Sequence, residues 1–71
     1  MDDRKLQASD LQTLRKWLHD LNNGVGVILA TSELLQMEQL PPRATERSRS
    51  IEAKALEIRE ILEAMSSHYF S

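Results

Sequence analysis

Apolar residues recur along this chain at an alternating spacing of three and four positions, and a single Pro-Pro pair interrupts them. The first series comprises Leu11, Leu14, Leu18, Leu21, Val25, Ile28 and Leu35, with Ser32 as its one polar member. The second comprises Ala44, Ser48, Ile51, Ala55, Ile58, Leu62, Met65 and Tyr69. This heptad spacing is typical of long helices that pack side by side. Because prolines disfavour helix in the residues before them, we predict helices at about 9–39 and about 43–69, joined by a turn at 40–42.

The width of the apolar stripes predicts more than a lone hairpin. Trp17 and Ile61 flank the heptad positions, so one partner helix cannot cover either stripe. A 71-residue chain without cysteine also lacks the core and the disulfides that would stabilise it alone. We predict an all-α fold, a single domain over 1–71 in which the helical hairpin homodimerises into a four-helix bundle. The predicted dimer core comprises Leu14, Leu18, Leu21, Val25, Ile28, Leu35, Ile51, Ile58, Leu62 and Met65.

Charge and hydropathy argue against several other classes of partner. Acidic and basic residues are interspersed, the formal net charge is -2, and no basic block indicates nucleic-acid binding. No apolar run approaches the roughly 20 residues that span a bilayer, and the polar start at 1–5 lacks the apolar core of a signal peptide. We expect a cytoplasmic module with no direct membrane insertion and no metal site.

Residues 19–26, His-Asp-Leu-Asn-Asn-Gly-Val-Gly, are unusual inside the first helix. Two Asn and two Gly give up about 2–3 kcal/mol of helix propensity relative to Ala, and Asn-Asn-Gly is also a turn signal. The heptad positions nevertheless keep their phase through the segment, which favours a continuous helix, with or without a bend. Local violations inside a consistent element often mark a functional site.

His19 falls at heptad position b, facing solvent beside the apolar seam. Asn23 lies one turn further along the same surface, whereas Asp20 points roughly 100° away around the helix. An exposed imidazole with an amide and a carboxylate nearby has the components of nucleophilic chemistry. The alternative for a single exposed histidine is a solvated surface residue, and we assign that to His68.

The string His-Asp-Leu-Asn-Asn at 19–23 resembles the H-box of histidine kinases. In that box a phospho-accepting His is followed by an acidic residue and, four positions after the His, by Asn or Thr. With its two heptad helices, essentially the whole chain resembles the dimerisation and histidine-phosphotransfer (DHp, HisKA-like) domain of two-component sensor kinases. Gly24 departs from the family pattern, in which many members carry proline, so we expect a weaker or more mobile bend.

The resemblance implies a role for three residues. His19 would take the γ-phosphoryl group of ATP and pass it to an aspartate of a response-regulator receiver domain. Asp20 would orient the ring or act as acid or base, and Asn23 would position water for dephosphorylation of the regulator. Asn22 matches a less constrained position and receives no role.

The chain has no glycine-rich phosphate loop, so we expect it to bind no cofactor itself. Mg-ATP would bind a separate ATP-binding catalytic domain, in the same protein or another, and this chain would be part of a histidine kinase rather than a complete enzyme. We favour a fragment of a larger sensor kinase, because the chain stops where the second helix would lead into that domain. A free-standing phosphotransfer protein without kinase activity, a phosphatase-biased module and a purely structural dimerisation hairpin remain alternatives. The handedness of the connection also stays open.

Small or apolar residues occupy outward positions of the first helix beyond His19. They are Gly26, Val27, Ala30, Leu34 and Met37. Apolar residues grouped on a solvent face indicate a docking surface. We expect the receiver domain to dock there, with its aspartate reaching His19.

Overall fold

Two helices account for nearly all of residues 7–70, the part of the chain that this computed structural model describes. Helix α1 spans Ala8–Gln36 and helix α2 spans Pro42–Phe70, with 29 residues in each. They pack together as a hairpin of 52 × 22 × 18 Å, which confirms the predicted pair of long helices. The polar start at 1–5, from which we expect no signal peptide, lies outside the described residues. Neither α1 nor α2 combines the length and the apolar character that crossing a bilayer requires.

The start of α1 falls at Ala8, one residue before the predicted start. Gln7 occupies the cap, and its backbone N–H donates to Asp10 Oδ2 at 3.0 Å. Asp10 therefore lies in the first turn, where a carboxylate binds the cap N–H and favours the positive end of the helix.

The end of α1 falls at Gln36, about three residues before the predicted end. The N–H of Met37 is shared between the carbonyls of Glu33 and Leu34, at 3.2 Å each, as is common where a last turn tightens. Residues 37–41 then reverse the chain. Pro42 opens α2, at a position where its missing N–H costs no helical hydrogen bond.

Helix α1 runs without interruption through residues 19–26, as the phase of the heptad predicted. Neither glycine of this segment adopts a positive φ. A methyl group added at Gly24 or Gly26 would meet nothing within 4 Å. The backbone at these two positions is therefore ordinary helix, and glycine is not required there by conformation or by space.

The contact between the helices uses only four of the ten predicted core residues. Its buried apolar residues are Leu18, Val25, Leu29, Ala55 and Leu62, with Leu14 packed at the edge. The other predicted core residues are 36–54% exposed: Leu21, Ile28, Leu35, Ile51, Ile58 and Met65. We call these six residues the apolar face. Each heptad thus turns one set of positions toward the other helix and a second set toward solvent.

Two serines complete the buried contact near the turn. Ser32 Oγ donates to the carbonyl of Ser48 at 2.7 Å, and Ser48 Oγ donates to the carbonyl of Ser32 at 3.1 Å. Gln36 Nε2 adds a longer bond to Ser32 Oγ at 3.4 Å. We call the reciprocal pair the serine clasp. Both serines are 2% exposed, so their small side chains also let the helices approach closely.

Candidate functional site

His19 lies on the exposed surface of α1, close to the middle of the helix. Its ring Nε2 is 3.2 Å from Nδ2 of Asn23, one turn further along. An amide nitrogen can only donate, so this contact is a hydrogen bond in the tautomer whose Nε2 carries the lone pair. In that tautomer the ring proton is on Nδ1 and the nitrogen beside Asn23 is the nucleophilic one. The spacing predicted from the sequence is therefore realised as a direct contact.

Asp20 forms an ion pair with Lys16, a contact that was not predicted. Lys16 Nζ lies 2.6 Å from Asp20 Oδ2, in an ion pair one helical turn long. The hydrogen bond from Lys16 is the main cause of a lowered pKa of Asp20; desolvation opposes it, and the charges of Lys16 and His19 add smaller lowering contributions. Within residues 7–70 no hydrogen bond joins Asp20 to the His19 ring. The orienting role expected of Asp20 stays a prediction.

A cleft of about 330 Å³ opens beside His19, on the side that faces α2. It is lined by Arg15, Leu18, His19, Asn22, Leu62, Glu63, Ser66 and Phe70. The guanidinium carbon of Arg15 lies 4.6 Å from the centroid of the Phe70 ring, a distance typical of cation–π packing. The cleft therefore combines an apolar floor with charged and polar groups at its rim.

Arg15 and Glu63 line the cleft with His19 but were not predicted as its neighbours. Arg15 precedes His19 by four residues, and that spacing alone places it on the same helical surface. Glu63 comes from α2, and its position depends on how the two helices align. No signal within either helix could have located it.

The predicted docking residues all lie on the surface. Gly26, Ala30, Leu34 and Met37 follow each other at steps of four, four and three, which places them in one stripe along α1. Val27 borders this stripe. Leu34 is 63% and Met37 is 81% exposed, high values for residues of this size.

The apolar face lies along two shallow grooves between the helices. The larger, about 610 Å³, includes Trp17, Leu21, Ile28 and Ile58. The smaller, about 210 Å³, includes Ile28, Leu35 and Ile51. Because each groove is lined by residues of both helices, the exposed halves of the two heptads form one continuous surface.

His68 lies apart from the site, in the last turn of α2. Its ring packs edge-on against Tyr69, with centroids 4.7 Å apart. In the part of the chain that the structure describes, no three His, Asp or Glu side chains are grouped so that they could hold a metal ion.

No protein-family model matches this chain, and comparisons with curated proteins and with solved structures give no match either. The residues around His19, their geometry and the hairpin are therefore the observations that bear on function.

Proposed function

We propose that this hairpin is the phospho-accepting dimerisation domain of a two-component histidine kinase, with His19 as the phosphate carrier. The contact between His19 Nε2 and Asn23 Nδ2 carries the proposal. In the tautomer in which Nε2 accepts from the amide, it presents an unprotonated ring nitrogen on the exposed face of a continuous helix, in a string that resembles the H-box. An ordinary surface histidine has no need of this combination.

The reaction has two steps. In the first, the Asn23 amide releases Nε2 of His19, and the freed lone pair attacks the γ-phosphorus of ATP, which a catalytic domain outside this chain would hold with Mg²⁺. The N–P bond forms while the bond to the β,γ-bridging oxygen breaks, ADP leaves with that electron pair, and the Nδ1 proton passes to solvent. In the second, a carboxylate oxygen of a receiver aspartate attacks the phosphorus, the N–P electron pair returns to Nε2, and the ring regains its proton. Positioning and charge stabilisation dominate such transfers.

Asn23 has a second task in this proposal. Its amide, held at the ring by the 3.2 Å contact, donates toward whatever occupies the space beyond Nε2. When a phosphorylated receiver is docked, that occupant is the water that hydrolyses the aspartyl phosphate. Asn23→Ala should therefore impair dephosphorylation of the regulator while sparing transfer from His19, and equal losses in both reactions would contradict this division.

The apolar face supports homodimerisation. Leu21, Ile28 and Ile51 of this face are substantially exposed, and among residues 7–70 a single hairpin buries only five apolar side chains. A second hairpin that packs its own apolar face against this one would bury both sets and complete a four-helix bundle. A purely structural hairpin would share this face, so dimerisation does not distinguish it from a phosphotransfer domain.

The docking stripe supports a receiver domain as the second partner. Ala30→Glu and Met37→Glu place charges in the exposed apolar stripe below His19 and should slow phosphotransfer to the regulator. Ser50→Glu, an exposed position on α2, is the matched control and should leave transfer unchanged. Unaltered transfer by both stripe variants would mean that the receiver docks elsewhere.

Phosphorylation by a histidine-kinase catalytic domain with labelled Mg-ATP tests the function directly. We expect label that is labile in acid and stable in base, the behaviour of phosphohistidine. The label should disappear in His19→Gln and persist in His68→Gln, which removes the other histidine. If a panel of catalytic domains leaves the intact protein unlabelled, the structural hairpin is the better description.

A further inference from the structure

We infer that the cleft beside His19 receives the phosphoryl group after transfer, and that the Arg15 guanidinium binds it there. The inference rests on the proposed function and extends it to residues for which the H-box resemblance implies no role. It makes the phosphate site a feature of both helices, because α2 supplies one wall of the cleft.

The cleft has suitable size and position. Its volume of about 330 Å³ exceeds the roughly 30 Å³ that one liquid water occupies, so phosphorus, three oxygens and several waters fit. His19 itself lines the cleft, and Arg15 lies one turn before it on the same helix. Once phosphorylated, Nε2 has no lone pair left to accept from Asn23, so the ring can turn from Asn23 into the cleft that Arg15 also lines.

Arg15 is already arranged for binding an anion. Its guanidinium packs over the Phe70 ring, 4.6 Å from the centroid. Arg15 is exposed and its guanidinium carries five N–H donors, so donors remain available to an anion in the cleft. A planar fork of N–H donors matches the oxygens of a phosphoryl group, and holding the fork in advance reduces the entropy lost on binding.

Glu63 places a charge opposite to that of Arg15 in the same cleft. It lines the same cleft from α2 and carries a negative charge at neutral pH. If the phosphoryl group occupies this cleft, Arg15 attracts it and Glu63 repels it. A role of Arg15 in packing alone predicts no such pair of effects.

The test uses phosphoramidate, a small phosphoryl donor that needs no kinase. Nε2 attacks its phosphorus, the N–P bond to His19 forms, the donor's own P–N bond breaks, ammonia leaves with the electron pair, and the Nδ1 proton passes to solvent. ³¹P NMR then follows the second ionisation of the phosphoryl group as pH is varied. Phosphorylated His68 in the same sample provides an internal reference, since His68 does not line the cleft.

In Arg15→Gln the titration midpoint of phospho-His19 should rise by roughly 0.3–0.5 pH unit, and in Glu63→Gln it should fall by a similar amount. This is the size expected for one charge some 6–8 Å away in a solvated setting. Arg47→Gln makes the same charge change as Arg15→Gln. Arg47 lies about 22 Å along α2 from Leu62, a residue of the cleft, at 1.5 Å per residue, so its replacement should leave the midpoint unchanged. Circular dichroism checks that each variant stays helical.

The outcomes separate the two proposals. If His19 is phosphorylated but its midpoint ignores both cleft variants, the phosphoryl group does not occupy the cleft and the inference fails while the proposed function stands. If His68 is phosphorylated and His19 is not, His19 is not a usable acceptor and the proposed function fails with it. Opposite shifts at His19, with none at His68, support the inference.

Discussion

Ser32 and Ser48 exchange hydrogen bonds across the helix contact, each hydroxyl donating to the other residue's backbone carbonyl. The two residues lie 16 positions apart, eight on either side of Leu40. A slip of one helix against the other would bury two hydroxyls without these partners, and buried polar groups without hydrogen bonds are costly. The clasp therefore opposes slippage and favours this antiparallel alignment.

Removing either hydroxyl should destabilise the hairpin moderately. For Ser32→Ala and for Ser48→Ala we expect the free energy of unfolding to fall by about 1 kcal/mol, the usual net value of one hydrogen bond. Urea unfolding at fixed protein concentration measures the change. Ser50→Ala, at an exposed position, is the control and should stay within experimental error of the unchanged protein. Equal stability of both clasp variants and the control would show that the clasp contributes little.

Replacing Gly26 with alanine should stabilise α1. The position has helical backbone and open space around the missing Cβ, so the full propensity difference of about 1 kcal/mol is available. Thermal unfolding measures the gain. The reverse change, Ala30→Gly, lies one turn away on the same surface and should lose a similar amount. A destabilised Gly26→Ala protein would mean that the open space is filled in solution.

A charge on the apolar face should dissociate the proposed dimer. Ile51→Glu places a carboxylate in the groove that Ile28 and Leu35 share, at a site 47% exposed in one hairpin and buried in the proposed bundle. Sedimentation velocity should give the mass of one chain for this variant and of two chains for the unchanged protein. Ala30→Glu adds the same charge outside these grooves and should remain dimeric. A dimeric Ile51→Glu protein would exclude this face as the interface.

Removing the ammonium group of Lys16 should raise the pKa of Asp20 toward its ordinary value, because the hydrogen bond from Lys16 is the main cause of its lowering. A carboxylate with a lowered pKa stabilises the folded state at neutral pH. That contribution is lost as the pH falls through the folded-state pKa. NMR titration of the Asp20 carboxyl carbon in Lys16→Met measures the shift. Lys54→Met, which removes the partner of Glu57 on α2, should leave Asp20 unchanged.

Much of the fold could be predicted because one heptad pattern describes both helices. The position of Asn23 relative to His19 followed from helical spacing alone. The pattern could not say which seam residues face the other helix: Leu18 and Leu21 have the same residue type, yet one is buried and the other exposed. The pattern also did not indicate whether Asp20 contacts His19 or Lys16. The one-turn spacing between Lys16 and Asp20 is visible in the sequence and could have predicted their ion pair.

The length of α1 also limits how many partners can reach His19 at the same time. Met37 lies about 27 Å from His19 along the axis, at 1.5 Å per residue, and this is close to the diameter of a small folded domain. A receiver seated on the docking stripe would occupy the whole distance up to the ring. No free surface of α1 between His19 and Met37 would then remain for a second protein domain. In the proposed cycle the donor and the acceptor of the phosphoryl group must take turns on each subunit, so forward transfer begins only after the kinase domain has withdrawn.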